Sequence, residues 1–207
     1  MGHTREKKPI AYTQEAIQEA KFIVDDFAEF TDGIRVIMLI HRSKDGASHS
    51  TRHLRMIFTN GRKEFEDALA MLLEQKIRST IDGLRIYSTV NPRNIRKAIS
   101  QFKHDQLDID DADEDSKLFF YLGIKSRFSS CLMRPSSRMD SLFVFDIDNP
   151  MTLDEALGIF DRCPENPEIV KQYKTKNGWH IVTKPFNHTK LEKELSFHKD
   201  GLLLLKY

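Results

Sequence analysis

The chain has 207 residues, 40% of them hydrophobic and 30% charged, and its 32 Lys and Arg offset 31 Asp and Glu to a formal net charge of +1. That composition excludes collagen-like, disulfide-rich and disordered classes, and the near-zero charge argues against a histone-like binder that works by bulk charge. No apolar run approaches the ~18 residues of a membrane helix, and Met1 to Lys8 is polar and basic with no apolar stretch behind it. No membrane partner and no signal peptide are expected, which makes a cytoplasmic protein of a bacterial or phage-infected cell the working expectation. The spacing predicts a helix over Thr13 to Phe30 and a nearly apolar strand over Ile34 to His41. A second strand over Arg52 to Thr59 completes an antiparallel hairpin with a long basic loop. A helix over Glu64 to Arg78 and a strand over Gly83 to Thr89 follow. Asn91-Pro92 opens a helix over Arg93 to Phe102. The acidic run Gln106 to Asp115 is predicted as a loop, and Lys117 to Leu122 fits either a helix or a strand.

Ser141 to Ile147 is a strand bounded by Asp148-Asn149-Pro150, and Thr152 with Glu155 forms a capping box for a helix through Phe160. Strands over Glu168 to Lys174 and Trp179 to Thr183 flank a turn. A short helix over Thr189 to Leu195 and a last strand over Leu202 to Leu205 complete the chain. Helices mixed with antiparallel hairpins predict an α+β fold, with an RNA-recognition-like or ferredoxin-like sheet packed on helices. Cys131 and Cys163 lie in no Cys-x-x-Cys pair, so a thiolate zinc site is not expected and two free thiols are.

Charge is unevenly spread. Lys125 to Arg138 carries Lys125, Arg127, Arg134 and Arg138 and no acid, and Arg42 to Lys63 carries six basic residues against Asp45 alone. These stretches suit either solvated loops or a phosphate-binding groove on one face. Arg85, on the strand Gly83 to Thr89, and Arg93, at the predicted helix start, are candidate nucleic-acid contacts beside Arg127. Tyr87 and Trp179 are candidates for base stacking, or for the core.

The sharpest feature is Phe143-Val144-Phe145-Asp146-Ile147-Asp148. Residues i and i+2 of a strand share a face, so Asp146 and Asp148 project together at a strand end. Two adjacent carboxylates repel unless a cation lies between them, and Mg2+ or Mn2+ prefers such oxygen ligands and leaves positions for phosphates. The second feature is Lys174-Thr175-Lys176-Asn177-Gly178-Trp179-His180. Its basic, glycine-containing turn suits a phosphate chain, which makes Lys174, Thr175, Lys176, Gly178 and His180 candidate nucleotide-binding residues. Alternatively, Asn177-Gly178 is simply a hairpin turn.

Taken together, an apolar strand ending in Asp-x-Asp, a short helix, and a hairpin bearing small-x-His resemble the archaeo-eukaryotic primase superfamily, which includes primase-polymerases and the polymerase domains of end-joining ligases. Phe143 to Asp148 matches the first motif and Gly178-Trp179-His180 the second. The resemblance covers mainly Ser141 to Phe186. It implies one primase-polymerase-like domain over 1–207, with an N-terminal α/β part over 1–105 and a motif-bearing part over 116–207. It also implies an active site between an α/β unit and an RNA-recognition-like sheet. The family's third motif is an apolar residue followed by an acid. Asp200 is the best match, although Lys199 precedes it, and Glu192 and Glu194 are weaker matches.

The implied activity is a metal-dependent nucleotidyltransferase of the primase or polymerase type, working in DNA replication. Asp146, Asp148 and Asp200 would bind Mg2+ or Mn2+, His180 would join Asp146 and Asp148 in catalysis, and the partners would be a nucleoside triphosphate and a DNA or RNA template and primer. The size suggests a minimal, stand-alone member of phage or mobile-element type. A non-catalytic nucleotide or nucleic-acid binder on the same fold, and a metal-dependent nuclease, remain open. The dehalogenase-type Asp-x-Asp phosphatases fit less well, because Pro150 stands where they need threonine or valine.

Overall fold

A computed structural model describes residues 15–20, 23, 33–42, 52–189, 191 and 195–207. Within them the fold is α+β, built on two four-stranded sheets whose paired strands all run antiparallel. Residues 15–20 are helical. The rest of the predicted helix, apart from residue 23, and the tip of the basic loop lie outside the described residues.

The first sheet joins β1 (Ile34–His41), β2 (Arg52–Asn60), β3 (Leu84–Thr89) and the C-terminal β8 (Leu202–Lys206) in the order β2-β1-β3-β8. Residues Ile34 to Ile40 of β1 are all buried. The cause is helices on both faces of the sheet. Ile37, Leu39, Leu84 and Ile86 pack on Phe65, Leu69 and Leu72 of α1 (Arg62–Arg78). Val36, Met38 and Ile40 pack on Ala98 of α2 (Ile95–Asp110) and on Cys131 and Leu132 of α4 (Ile124–Met133). A strand buried on both faces reads as a continuous apolar run, as IRVIMLIH does.

Between α2 and α4 lies α3 (Glu114–Leu122). Here the expected loop is mostly helix. Asp113 accepts from Ser116 N at 2.9 Å and from Ser116 Oγ at 2.7 Å, so it caps α3, and Glu114 and Asp115 occupy its first turn. Carboxylates are favourable there, where the helix dipole is positive. The start of α2 also differs from the prediction. Asn94 caps it through Lys97 N at 3.0 Å, and Arg93 instead bridges the backbone of Ile34 in both directions, at 2.7 and 2.8 Å.

The second sheet comprises β4 (Phe143–Asp148), β5 (Ile169–Lys174), β6 (Gly178–Thr183) and β7 (Ser196–His198) in the order β5-β6-β4-β7. One face carries Phe143, Phe145, Ile147 and Ile181 against Ala156, Ile159 and Phe160 of α5 (Leu153–Asp161). Thr152 caps α5 and Glu155 closes the capping box. The other face begins in the core with Leu142, Val144 and Val182 and runs out into a cleft against the first sheet. Of the short helix predicted over Thr189 to Leu195, residues 189 and 191 lie in turns and 195 in a bend, residues 190 and 192–194 lie outside the described residues, and β7 follows. Cys131 and Cys163 are buried free thiols. Among the described residues no helix is long and apolar enough to cross a membrane.

The segment Asn91–Arg93 fastens the two sheets together. Asn91 Oδ1 accepts from Leu142 N at 2.8 Å, and Asn91 Nδ2 donates to Leu142 O at 3.1 Å. Arg93 donates from both terminal nitrogens to the two oxygens of Asp200, each at 2.8 Å. Nearby, Arg35 is buried and donates to the carbonyls of Thr89 and Val90, and burial lowers its guanidinium to about 10.

Candidate active site

The cleft between the sheets has a volume of about 830 Å³. Strand alternation decides what lines it. On β4, Phe143, Phe145 and Ile147 enter the core on α5, so Val144, Asp146 and Asp148 face the cleft. Asp146 is half-buried and Asp148 exposed. On β3, Leu84 and Ile86 enter the core on α1, so Arg85 and Tyr87 face the cleft from the opposite wall. Arg42 stands on that wall too, donating from Nη1 to Tyr87 Oη at 3.2 Å.

The register of β4 with β6 sets Asp146 opposite His180 and Asp148 opposite Gly178. His180 Nε2 lies 3.3 Å from Asp146 Oδ1. His180 in turn stands opposite Tyr173 on β5, and Tyr173 Oη lies 2.8 Å from His180 Nδ1. Asp146, His180 and Tyr173 thus form a line across three strands. With the imidazole proton on Nε2 toward Asp146, Nδ1 is the acceptor and Tyr173 donates to it. Burial holds the Tyr173 phenol well above its ordinary value, so it keeps that proton. The hydrogen bond from His180 holds the Asp146 carboxyl below the usual range against the opposing effect of burial, and the nearby charges of His180, His198 and Arg42 add to the lowering.

Gly178 is required by this pairing. A Cβ there would stand 1.8 Å from the carbonyl oxygen of Ile147, so no larger residue lets β6 lie this close to the end of β4. The turn before it closes through Thr175 N to Gly178 O at 2.9 Å, and Asn149 N donates to Asn177 O at 3.1 Å. These bonds hold Lys176 beside Asp148 on the cleft rim. Thr175 is buried below the rim.

The candidates named from sequence therefore divide. Asp146, Asp148, His180, Thr175, Lys176, Arg85 and Asp200 line one cleft. Lys174 does not. It alternates with the buried Tyr173 and Thr175 and is exposed on the other side of β5. Arg93 is 0% exposed and spent on Asp200, which leaves it no surface for a nucleic acid. Arg127 lies away from the cleft, its guanidinium 4.8 Å from the centre of the Phe120 ring. Trp179 packs with the core on the α5 side of its sheet. Asp200 reaches the cleft, but both its oxygens accept from Arg93. Among the described residues, no three His, Cys, Asp or Glu side chains group as a metal site. Glu192 and Glu194 lie outside the described residues.

Sequence reasoning missed Tyr173 and His198, and it placed Arg42 only within a basic stretch. For Tyr173 a signal existed, since it is two residues before Thr175 and alternation along an extended chain turns the two to one side. Compared with known proteins, the chain matches no family model, no curated protein and no solved structure.

Proposed function

We propose that the cleft is the active site of a divalent-metal-dependent nucleotidyltransferase of the primase-polymerase type, on an RNA-recognition-like sheet fused to an α/β unit. The observation that carries this reading is the convergence of Asp146, Asp148, His180 and Lys176 on one wall, with Arg42 and Arg85 on the other. Acid and base facing each other across a cleft suit a metal-bound polyphosphate.

The carboxylates fit Mg2+ or Mn2+. Asp146 and Asp148 share a face, and Asp148 is open to solvent. Such an ion is commonly held by one or two carboxylates and completed by substrate phosphates. When bound, it supplies charge neutralisation at the transferring phosphate. Asp200 is left out of the ligand set, because Arg93 holds both its oxygens.

The chain's own residues do the rest. His180 orients Asp146, and Tyr173 orients His180. Lys176 on the rim, with Arg42 and Arg85 opposite, binds the phosphate chain and stabilises the charge that develops on the leaving pyrophosphate. A primer 3′-oxygen forms a bond to the α-phosphorus, the bond from that phosphorus to the bridging oxygen breaks, and the hydroxyl proton passes to water.

A second reading is favoured by one observation. With Asp200 committed to Arg93, the cleft offers two carboxylates rather than three, which suits a non-catalytic nucleotide or nucleic-acid binder. Incubation with a primed template, nucleoside triphosphates and Mn2+ separates the readings. Lengthened primer supports transfer, binding without lengthening supports the binder, and shortened primer points to a nuclease.

A further inference from the structure

Independently of the cleft, α3 carries a surface left exposed among the described residues. Its sequence EDSKLFFYL ends in five consecutive apolar or aromatic residues. A helix turned toward its own fold on one side buries only part of such a run. Phe120 alone is buried, its ring 5.6 Å from that of Phe102. Leu118, Phe119 and Leu122 remain 56%, 68% and 74% exposed, and Ile124 at the start of α4 is exposed beside them. Single exposed apolar residues are ordinary, but a contiguous group with a Phe at its centre marks a contact surface.

Charge identifies the occupant. Toward the N-terminal end of α3 the carboxylates Asp110, Asp111, Glu114 and Asp115 are all exposed, and Lys117 offsets one of them by pairing with Glu114 at 3.0 Å. Just past its C-terminal end stand Lys125 and Arg127, both exposed. A nucleic acid or an anionic membrane would meet the acidic end and be repelled. A surface acidic at one end and basic at the other is self-complementary under a twofold axis. Two copies related in that way set their α3 helices antiparallel, Phe119 and Leu122 meet at the centre, and each acidic end covers the other's Lys125 and Arg127.

We propose that this face of α3 is the isologous interface of a homodimer. Sedimentation equilibrium of the full chain over a micromolar concentration series tests it. The expected result is a monomer–dimer equilibrium that weakens with added salt. Phe119→Ser with Leu122→Ser should weaken it at least about tenfold, and both side chains are exposed, so circular dichroism should show an unchanged fold. Lys125→Glu with Arg127→Glu should also weaken it, and adding Glu114→Lys with Asp115→Lys in the same chain should restore it. A chain that stays monomeric throughout overturns the proposal. So does a dimer indifferent to the serine pair, or charge reversal at both ends without recovery. A monomer that binds a Leu–Lys amphipathic peptide through Phe119 and Leu122 would assign the face to a different partner, which also overturns it.

Discussion

Asp146 and His180 face each other across β4 and β6, with His180 Nε2 3.3 Å from Asp146 Oδ1. This pair gives the cleft a pH dependence with a definite sign. The Asp146 carboxyl is held below its ordinary value, first by His180. A carboxylate depressed in the folded state stabilises the fold above its unfolded pKa, about 3.9, and that contribution is lost as pH falls through the folded value. Asp146→Asn removes it. In urea denaturation across an acid pH series, the variant's stability should fall less steeply below about pH 4 than the wild type's. Equal slopes would show that the pairing is not made in solution.

Tyr173 braces this pair from behind. Tyr173→Phe keeps the ring and deletes one hydrogen bond to His180 Nδ1, at a cost of about 1 kcal/mol. Nucleotide affinity should fall modestly, because the imidazole that orients Asp146 loses its brace. A changed stability with unchanged nucleotide affinity would make Tyr173 a packing residue only.

Gly178→Ala should damage the fold rather than the chemistry alone. The added Cβ would meet Ile147 O at 1.8 Å, and backbone cannot yield as a flexible side chain does. Overpacking typically costs about 1–3 kcal/mol, and a lowered urea midpoint would report it. An unchanged midpoint would mean that β4 and β6 pair less closely than described.

Asp200 and Arg93 make the opposite prediction from a metal ligand. Removing one partner of a buried pair leaves the other charge uncompensated, at about 3–5 kcal/mol. Arg93 is fully buried but Asp200 is partly open, so Asp200→Asn should cost toward the lower end of that range. Below its melting temperature, the variant should bind Mn2+ with nucleotide within a few-fold of wild type. A stable protein that had lost Mn2+ would return Asp200 to the ligand set.

Much of this was legible in the sequence, because it rests on local alternation. The apolar run of β1, the shared face of Asp146 and Asp148, and the glycine two residues before His180 each follow from period-two geometry. The Asn91–Leu142 and Arg93–Asp200 fastenings were not legible. Their partners lie 51 and 107 residues apart, and nothing local to Arg93 distinguishes an arginine held by a distant carboxylate from one awaiting a phosphate. The acidic run concealed its helices for another reason. Asp is a poor helix former in an interior but favourable at a start, so one cap at Asp113 turns apparent loop residues into the first turn of α3. The helix α4 buries only Cys131 and Leu132, which leaves too faint an apolar period to read.

The central claim is that Asp146 and Asp148 serve nucleotide transfer in the cleft. Asp148 is exposed, so Asp148→Asn leaves the fold intact and isolates the chemistry. Incorporation of a labelled nucleotide into a primed template, with Mn2+ present, should be clear for the wild type. It should fall at least about a hundredfold in the variant, since a metal's charge stabilisation is worth several kcal/mol. Incorporation at wild-type rate by Asp148→Asn, or none by the wild type itself, would contradict the account.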